Sequence, residues 1–187
     1  MDEPQVLVPG AAQMRELGRR LAGLLRAGDL VVLTGPLGAG KTTLVQGIGA
    51  GLFVRGPVTS PTFVIARVHP SLSGGPDLVH ADAYRLGSRL EVDDLDLDAD
   101  LDHSVTIVEW GEGLVEPLGD GYLSITISMR GAAAADGGED GGEDGDESRL
   151  VAVAGHGDRW QEMAAELHQL MGKRPLKRGR PGGRPGK

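Results

Sequence analysis

The chain contains no cysteine and no asparagine. The first absence excludes a disulfide framework and any thiolate-held metal. The second excludes an NKxD motif, by which the common GTPases read guanine. Aromatic residues are scarce, being limited to Phe53, Phe63, Tyr84, Trp110, Tyr122 and Trp160. A nucleic-acid platform built on stacked bases needs more. No apolar run approaches the ~20 residues that span a bilayer. The opening MDEPQVLVPG has neither the basic stretch nor the apolar core of a secretory signal. These absences lead to the expectation of a cytoplasmic protein with no membrane contact.

What is present is ordinary for a globular domain: 187 residues, 40% apolar and 25% charged. That length suits one domain, and a chain of ~150 residues hides roughly 70% of its unfolded surface. The net charge of −8 conceals a split. Residues 173–187 hold seven of the 19 basic residues and none of the 27 acidic ones. An acidic body does not attract polyanions, whereas a basic tail can.

Periodicity orders the chain. Gln5–Val8 is expected to be a short strand. Residues 11–26 read as an amphipathic helix, with Met14, Leu17, Leu21, Leu24 and Leu25 on one face. LVVLTG then forms a continuous apolar run, the pattern of a strand buried on both sides. A glycine-rich loop, Gly35–Gly40, leads into a helix over Lys41–Gly51. Thr62–His69, Leu78–Asp82 and Val105–Glu109 read as further strands, and 88–103 as short acidic helices. Tyr122–Met129 alternates strictly, which predicts a half-exposed antiparallel strand with Leu150–Ala154 as its hairpin partner. The acidic, low-complexity stretch between them, about 131–148, reads as a disordered insertion. Asp158 and Gln161 are spaced as a capping box for a last helix. The domain is therefore expected over residues 1–171, followed by a disordered Pro/Gly/Arg tail over 172–187.

The chemistry concentrates in Gly35-Pro36-Leu37-Gly38-Ala39-Gly40-Lys41-Thr42, which matches the phosphate-loop pattern GxxxxGK[ST]. Glycines allow successive N–H groups to converge on one anion, and the following helix start adds partial positive charge. Lys41 supplies an ammonium for the β- and γ-phosphates. Thr42 supplies a hydroxyl for Mg²⁺, which prefers hard oxygen ligands. Such a loop needs an acidic partner at the end of a neighbouring strand. Asp82 and Glu109 both end apolar strands and remain alternatives. Without an NKxD motif, the expected base is adenine.

Three other readings fit less well. LSGGP, Leu72–Pro76, resembles a transporter signature but lies too soon after the loop and reads as a turn. A small-molecule kinase would carry an arginine-rich lid, yet the residues after Arg89 are acidic. Arg178-Gly179-Arg180-Pro181 resembles a minor-groove hook. A small-molecule P-loop kinase and a nucleic-acid-associated ATPase working through that tail are the alternatives that remain.

Four blocks in order, GPLGAGKTTLVQGIGAGL, VTSPTFVI, HADAYRL and VTIVEWGE, resemble the TsaE family of bacterial ATPases, over roughly residues 5–130. The resemblance implies an α/β, P-loop NTPase-like three-layer sandwich. Its mixed sheet would carry helices on both faces and an antiparallel hairpin near the C-terminus. It implies an ATP·Mg²⁺ site and slow ATP hydrolysis that responds to partners. It also implies a role in threonylcarbamoyladenosine modification of tRNA, resetting the TsaB–TsaD complex between turnovers. Transfer of the family's residues makes Lys41, Thr42 and Thr43 phosphate and Mg²⁺ contacts, and Glu109 the Mg²⁺ partner. Asp82 would orient water, Ser60 and Thr62 would form a switch segment, and Trp110 would line the site or a partner surface. tRNA would be met indirectly or through the basic tail. One departure is Pro36, where the family commonly has an acidic residue.

Overall fold

The apolar run after the first helix becomes strand β2, Leu30–Thr34, in which Leu30, Val31 and Leu33 are fully buried. A computed structural model describes residues 3–61, 66–84, 101–129 and 148–172. Parallel neighbours flank β2: β5, Ser104–Glu109, on one side and β6, Tyr122–Met129, on the other. Strand β4, Asp77–Asp82, lies parallel beside β5. The outer strands are antiparallel: β3, Ala66–His69, pairs with β4, and β7, Arg149–His156, pairs with β6. Strand β1, Gln5–Val8, closes the far edge against β7. The mixed seven-stranded order is β1-β7-β6-β2-β5-β4-β3, the expected α/β P-loop architecture with its C-terminal hairpin.

Helices α1, Ala11–Ala22, α2, Lys41–Gly51, α3, Asp158–Glu162, and α4, Ala164–Gly172, pack on one face. There Val31, Leu33, Ile125 and Ile127 of the sheet meet Leu17, Leu44, Ile48, Trp160 and Leu167 of the helices. The other face gathers Leu30, Val32, Val79, Ala81 and Val108 under Val115. Its cover, among the described residues, is the segment after β5 with the 3₁₀ turn Glu116–Leu118. Helices α1 and α2 touch backbone to backbone. A Cβ on Gly18 would collide with the Leu44 carbonyl, and one on Gly47 with the Arg15 carbonyl. This close approach fixes α2, and so the loop that precedes it.

Several expectations need correction. Helix α1 stops at Ala22, although Leu25 stays buried in the turn that follows. Strand β6 alternates as predicted, with Leu123, Ile125 and Ile127 buried, but it is interior and parallel to β2 as well as antiparallel to β7. Alternation reports how each face is covered and carries no information on strand direction. Asp158 makes no capping bond, because Gly157, at φ +87°, is the N-cap and Asp158 already lies inside the helix. The final helical stretch also breaks at Met163. LSGGP is a turn, as expected, tied by the Ser71 N–H donating to Asp77 Oδ1 at 2.7 Å. The expected strand start at 62–65, most of the acidic stretch 88–103, the insertion 131–147 and the tail 173–187 lie outside the described residues. No described helix is long and apolar enough to cross a membrane.

Candidate functional site

The loop Gly35–Gly40 leaves the carboxyl end of β2 and turns into α2. Gly35, Gly38 and Gly40 take φ values of +150°, +78° and +103°, which side-chain-bearing residues rarely adopt. At Gly35 space is also limiting, since a Cβ would lie 2.5 Å from the Ile127 carbonyl oxygen. Gly40 caps α2 without a side-chain bond, and no acidic residue occupies the first turn. The helix start therefore offers its N–H groups and partial positive charge to an anion.

Lys41 opens that helix and is buried. Its Nζ donates to the Gly35 carbonyl at 2.8 Å and the Pro36 carbonyl at 3.2 Å. The ammonium also sits 4.2 Å from the centre of the Trp110 ring, a cation–π arrangement. Burial lowers its pKa below 10.5, while Glu109 and Asp82 act in the opposite direction. A cation short of water in this way gains from an arriving polyanion.

The acidic side of the site follows from strand register. Strands β4 and β5 are parallel, with Asp82 opposite Glu109. Both carboxylates thus reach the carboxyl edge of the sheet next to the loop, where ligands bind in open α/β folds. Their surroundings differ. Glu109 Oε1 accepts from Thr42 Oγ1 at 3.3 Å and faces His80 Nε2 at 2.9 Å. Asp82 Oδ1 instead accepts the Tyr84 backbone N–H at 2.9 Å. The sequence left these two acids as alternatives; the geometry joins Glu109 to the hydroxyl that follows the loop lysine.

Trp110 follows β5 directly at φ +62°, an uncommon conformation for a residue with a side chain. Its N–H donates to the Leu33 carbonyl at 3.1 Å, and its ring meets Tyr84 edge-on at 5.5 Å. A cavity of about 480 Å³ lies between the loop and α2 on one side and the ends of β4 and β5 on the other. It collects Leu37, Gly38, Gly40, Lys41, Thr42 and Thr43 with Asp82, Glu109, Trp110 and Ser60. Gly35 and Pro36 contribute the carbonyls that hold Lys41, and Ala39 is buried in the core. Thr62 lies outside the described residues.

Sequence reasoning missed two residues. His80, which lies within the expected strand Leu78–Asp82, is fully buried against Glu109. The signal was available: residues two apart on a strand share a face, so a site-facing Asp82 brings His80 with it. Arg149, at the start of β7, lines a second hollow of about 190 Å³ beside the loop, with Gly10, Met14, Gly38 and Thr43. Its neighbours are distant in sequence, so only the fold reveals it.

The donor set suits Mg²⁺ carried by a phosphate ligand. Among the described residues no group of three or more acidic or histidine side chains could hold a metal unaided. Mg²⁺ in nucleotide sites commonly takes one or two carboxylates, with phosphates and water completing its shell. Thr42 and Glu109 supply hard oxygens, a hydroxyl and a carboxylate, that meet across the cavity.

Comparison with known proteins identifies the family. The family described as Threonylcarbamoyl adenosine biosynthesis protein TsaE matches residues 8–135. A tRNA threonylcarbamoyladenosine biosynthesis protein TsaE from Streptomyces coelicolor is 61% identical over 148 residues, covering 79% of this chain and 93% of the relative. The Mycobacterium tuberculosis protein of the same name is 50% identical over 127 residues, covering 64% of this chain and 76% of the relative. The crystal structure of Bacillus subtilus YdiB superposes with a TM-score of 0.68 at 25% identity, covering 90% of this chain and 95% of that one. The match over residues 8–135 and the extent of these identities place the chain in the TsaE family.

Proposed function

We propose that this chain binds ATP·Mg²⁺ in the loop cavity and hydrolyses it in the service of threonylcarbamoyladenosine modification of tRNA. In this reading it acts in the cytoplasm with the TsaB–TsaD pair and resets that complex between turnovers. The observation that carries the nucleotide reading is the Thr42–Glu109 contact beside Lys41, at the mouth of a complete phosphate loop. Residues 1–171 form the ATPase domain, and the acidic segment near 131–148 and the basic residues 172–187 are additions to it.

The chain's residues divide the work. Loop N–H groups and the start of α2 receive the phosphates. Lys41 exchanges the Gly35 and Pro36 carbonyls for the β- and γ-phosphate oxygens. Thr42 and Glu109 hold Mg²⁺, which when bound neutralises charge on the transferring phosphoryl group. Asp82 orients the attacking water. Trp110 covers the lysine and limits water beside it, and Ser60 and Thr62 form the segment that responds to the γ-phosphate. The hollow lined by Arg149 and Met14 adjoins Thr43 and gives the adenosine end a direction to leave the loop. Calorimetric titration of the purified chain with ATP tests this: Mg²⁺-dependent binding at one site is expected, and no heat with or without Mg²⁺ contradicts it.

A further inference from the structure

His80 occupies an unusual position for a strand residue. It is fully buried, and its Nε2 lies 2.9 Å from Glu109 Oε1. A carboxylate only accepts hydrogen bonds, so the ring donates from Nε2. The other nitrogen, Nδ1, is buried without a hydrogen-bond partner among the described residues. Burying an imidazole with one unpartnered nitrogen is costly, and an apolar residue would fill the space more cheaply. Among the described residues, the ring's one directed polar contact is the bond to Glu109.

That bond is also well placed. Thr42 Oγ1 reaches the same oxygen, Oε1, at 3.3 Å. One donor comes from β4 and the other from α2. Together they fix the rotation of the Glu109 carboxylate. Glu109 follows an apolar strand and is itself buried. When Thr42 turns to an arriving cation, His80 is the donor that remains.

We propose that His80 is a positioning residue that holds the Glu109 carboxylate in the orientation required for the nucleotide-bound Mg²⁺. This rests on the ATP·Mg²⁺ reading above. His80 does not touch the nucleotide or the metal; it acts through Glu109, as outer-shell partners of metal ligands do elsewhere. Losing such a partner typically weakens metal binding about 10- to 100-fold.

The test uses the full chain and a non-hydrolysable ATP analogue, titrated by calorimetry with and without Mg²⁺. Wild-type binding comes first, because its absence would defeat the nucleotide reading rather than the role of His80. Two variants follow. His80→Leu removes the donor, and His80→Gln retains an N–H near the Nε2 position. The Mg²⁺ concentration for half-maximal enhancement of analogue binding should rise about tenfold or more in His80→Leu. Metal-free analogue affinity should stay within about twofold of wild type, and His80→Gln should recover most of the loss. An unchanged Mg²⁺ midpoint in His80→Leu overturns the proposal. So does an equal loss of metal-free binding, or a His80→Gln variant that folds but shows the same defect as His80→Leu. If His80→Leu does not fold, a wild-type-like His80→Gln beside a defective, folded His80→Ala still supports the role, and a normal His80→Ala refutes it.

Discussion

Replacement of Lys41 tests the site most sharply, because the residue has two opposed energetic roles. In the free protein its ammonium is bound to two loop carbonyls, at 2.8 and 3.2 Å, and lies over Trp110. When phosphate arrives, those neutral partners give way to anionic oxygens. A unit charge pair at 4 Å is worth about 4 kcal/mol at an effective dielectric constant of 20. That is an upper bound, since the carbonyl and ring contacts are surrendered. Hydrogen bonds to charged groups contribute about 1.5–3 kcal/mol net. At 1.4 kcal/mol per tenfold, Lys41→Ala should weaken ATP binding about 10- to 150-fold. Lys41→Met, which keeps a stem to pack against Trp110, should show a similar loss. The assay is calorimetric titration with ATP and Mg²⁺. Binding by both variants within about threefold of wild type would refute the assignment of Lys41 to the phosphates.

Three further outcomes follow from particular contacts. Burial lowers the pKa of Lys41, so the unfolded chain binds more protons between the folded-state value and 10.5. The contribution of this group to stability therefore rises with pH across that window. Urea unfolding at successive alkaline pH values should show a shallower rise for Lys41→Met than for wild type, and equal slopes would contradict the burial. Gly47→Ala should force α1 from α2, because the added Cβ meets the Arg15 carbonyl. A loss of about 1–3 kcal/mol, as for other overpacked contacts, should lower the unfolding temperature by several degrees in a thermal melt. Glu109→Ala should diminish the Mg²⁺ dependence of ATP binding while leaving metal-free binding nearly intact. If Asp82→Ala alone produced that pattern, the two acids would have to exchange roles.

The legible parts of this fold were those where one residue type answers one local demand. The glycines of 35–40 announce a loop that needs positive φ, and LVVLT before them announces a strand buried on both sides. The limits of β1, α2 and β6 were therefore readable from sequence. The parallel pairing of β6 with β2 was not, because its alternating pattern records burial of each face and not the neighbour. The contact that distinguishes Glu109 from Asp82, the bond from Thr42, was likewise hidden. It depends on the register of β4 against β5 and on the position of Thr42 above them, both set by tertiary packing. The face of His80 was legible from its spacing to Asp82, but its bond to Glu109 on the adjacent strand was not. The capping pattern at Asp158 misled for a third reason: Gly157 takes the N-cap position, which leaves Asp158 inside the helix.

The proposed function turns on coupling between ATP hydrolysis by this chain and a protein complex. The most direct test is Mg²⁺·ATP hydrolysis by the purified chain, measured alone and with its TsaB–TsaD pair. Slow hydrolysis alone, strongly stimulated by the pair and lost in Lys41→Ala, is the predicted result. ATP binding with no stimulation at saturating partner concentration would contradict the coupling, and hydrolysis that persists in Lys41→Ala would contradict the site.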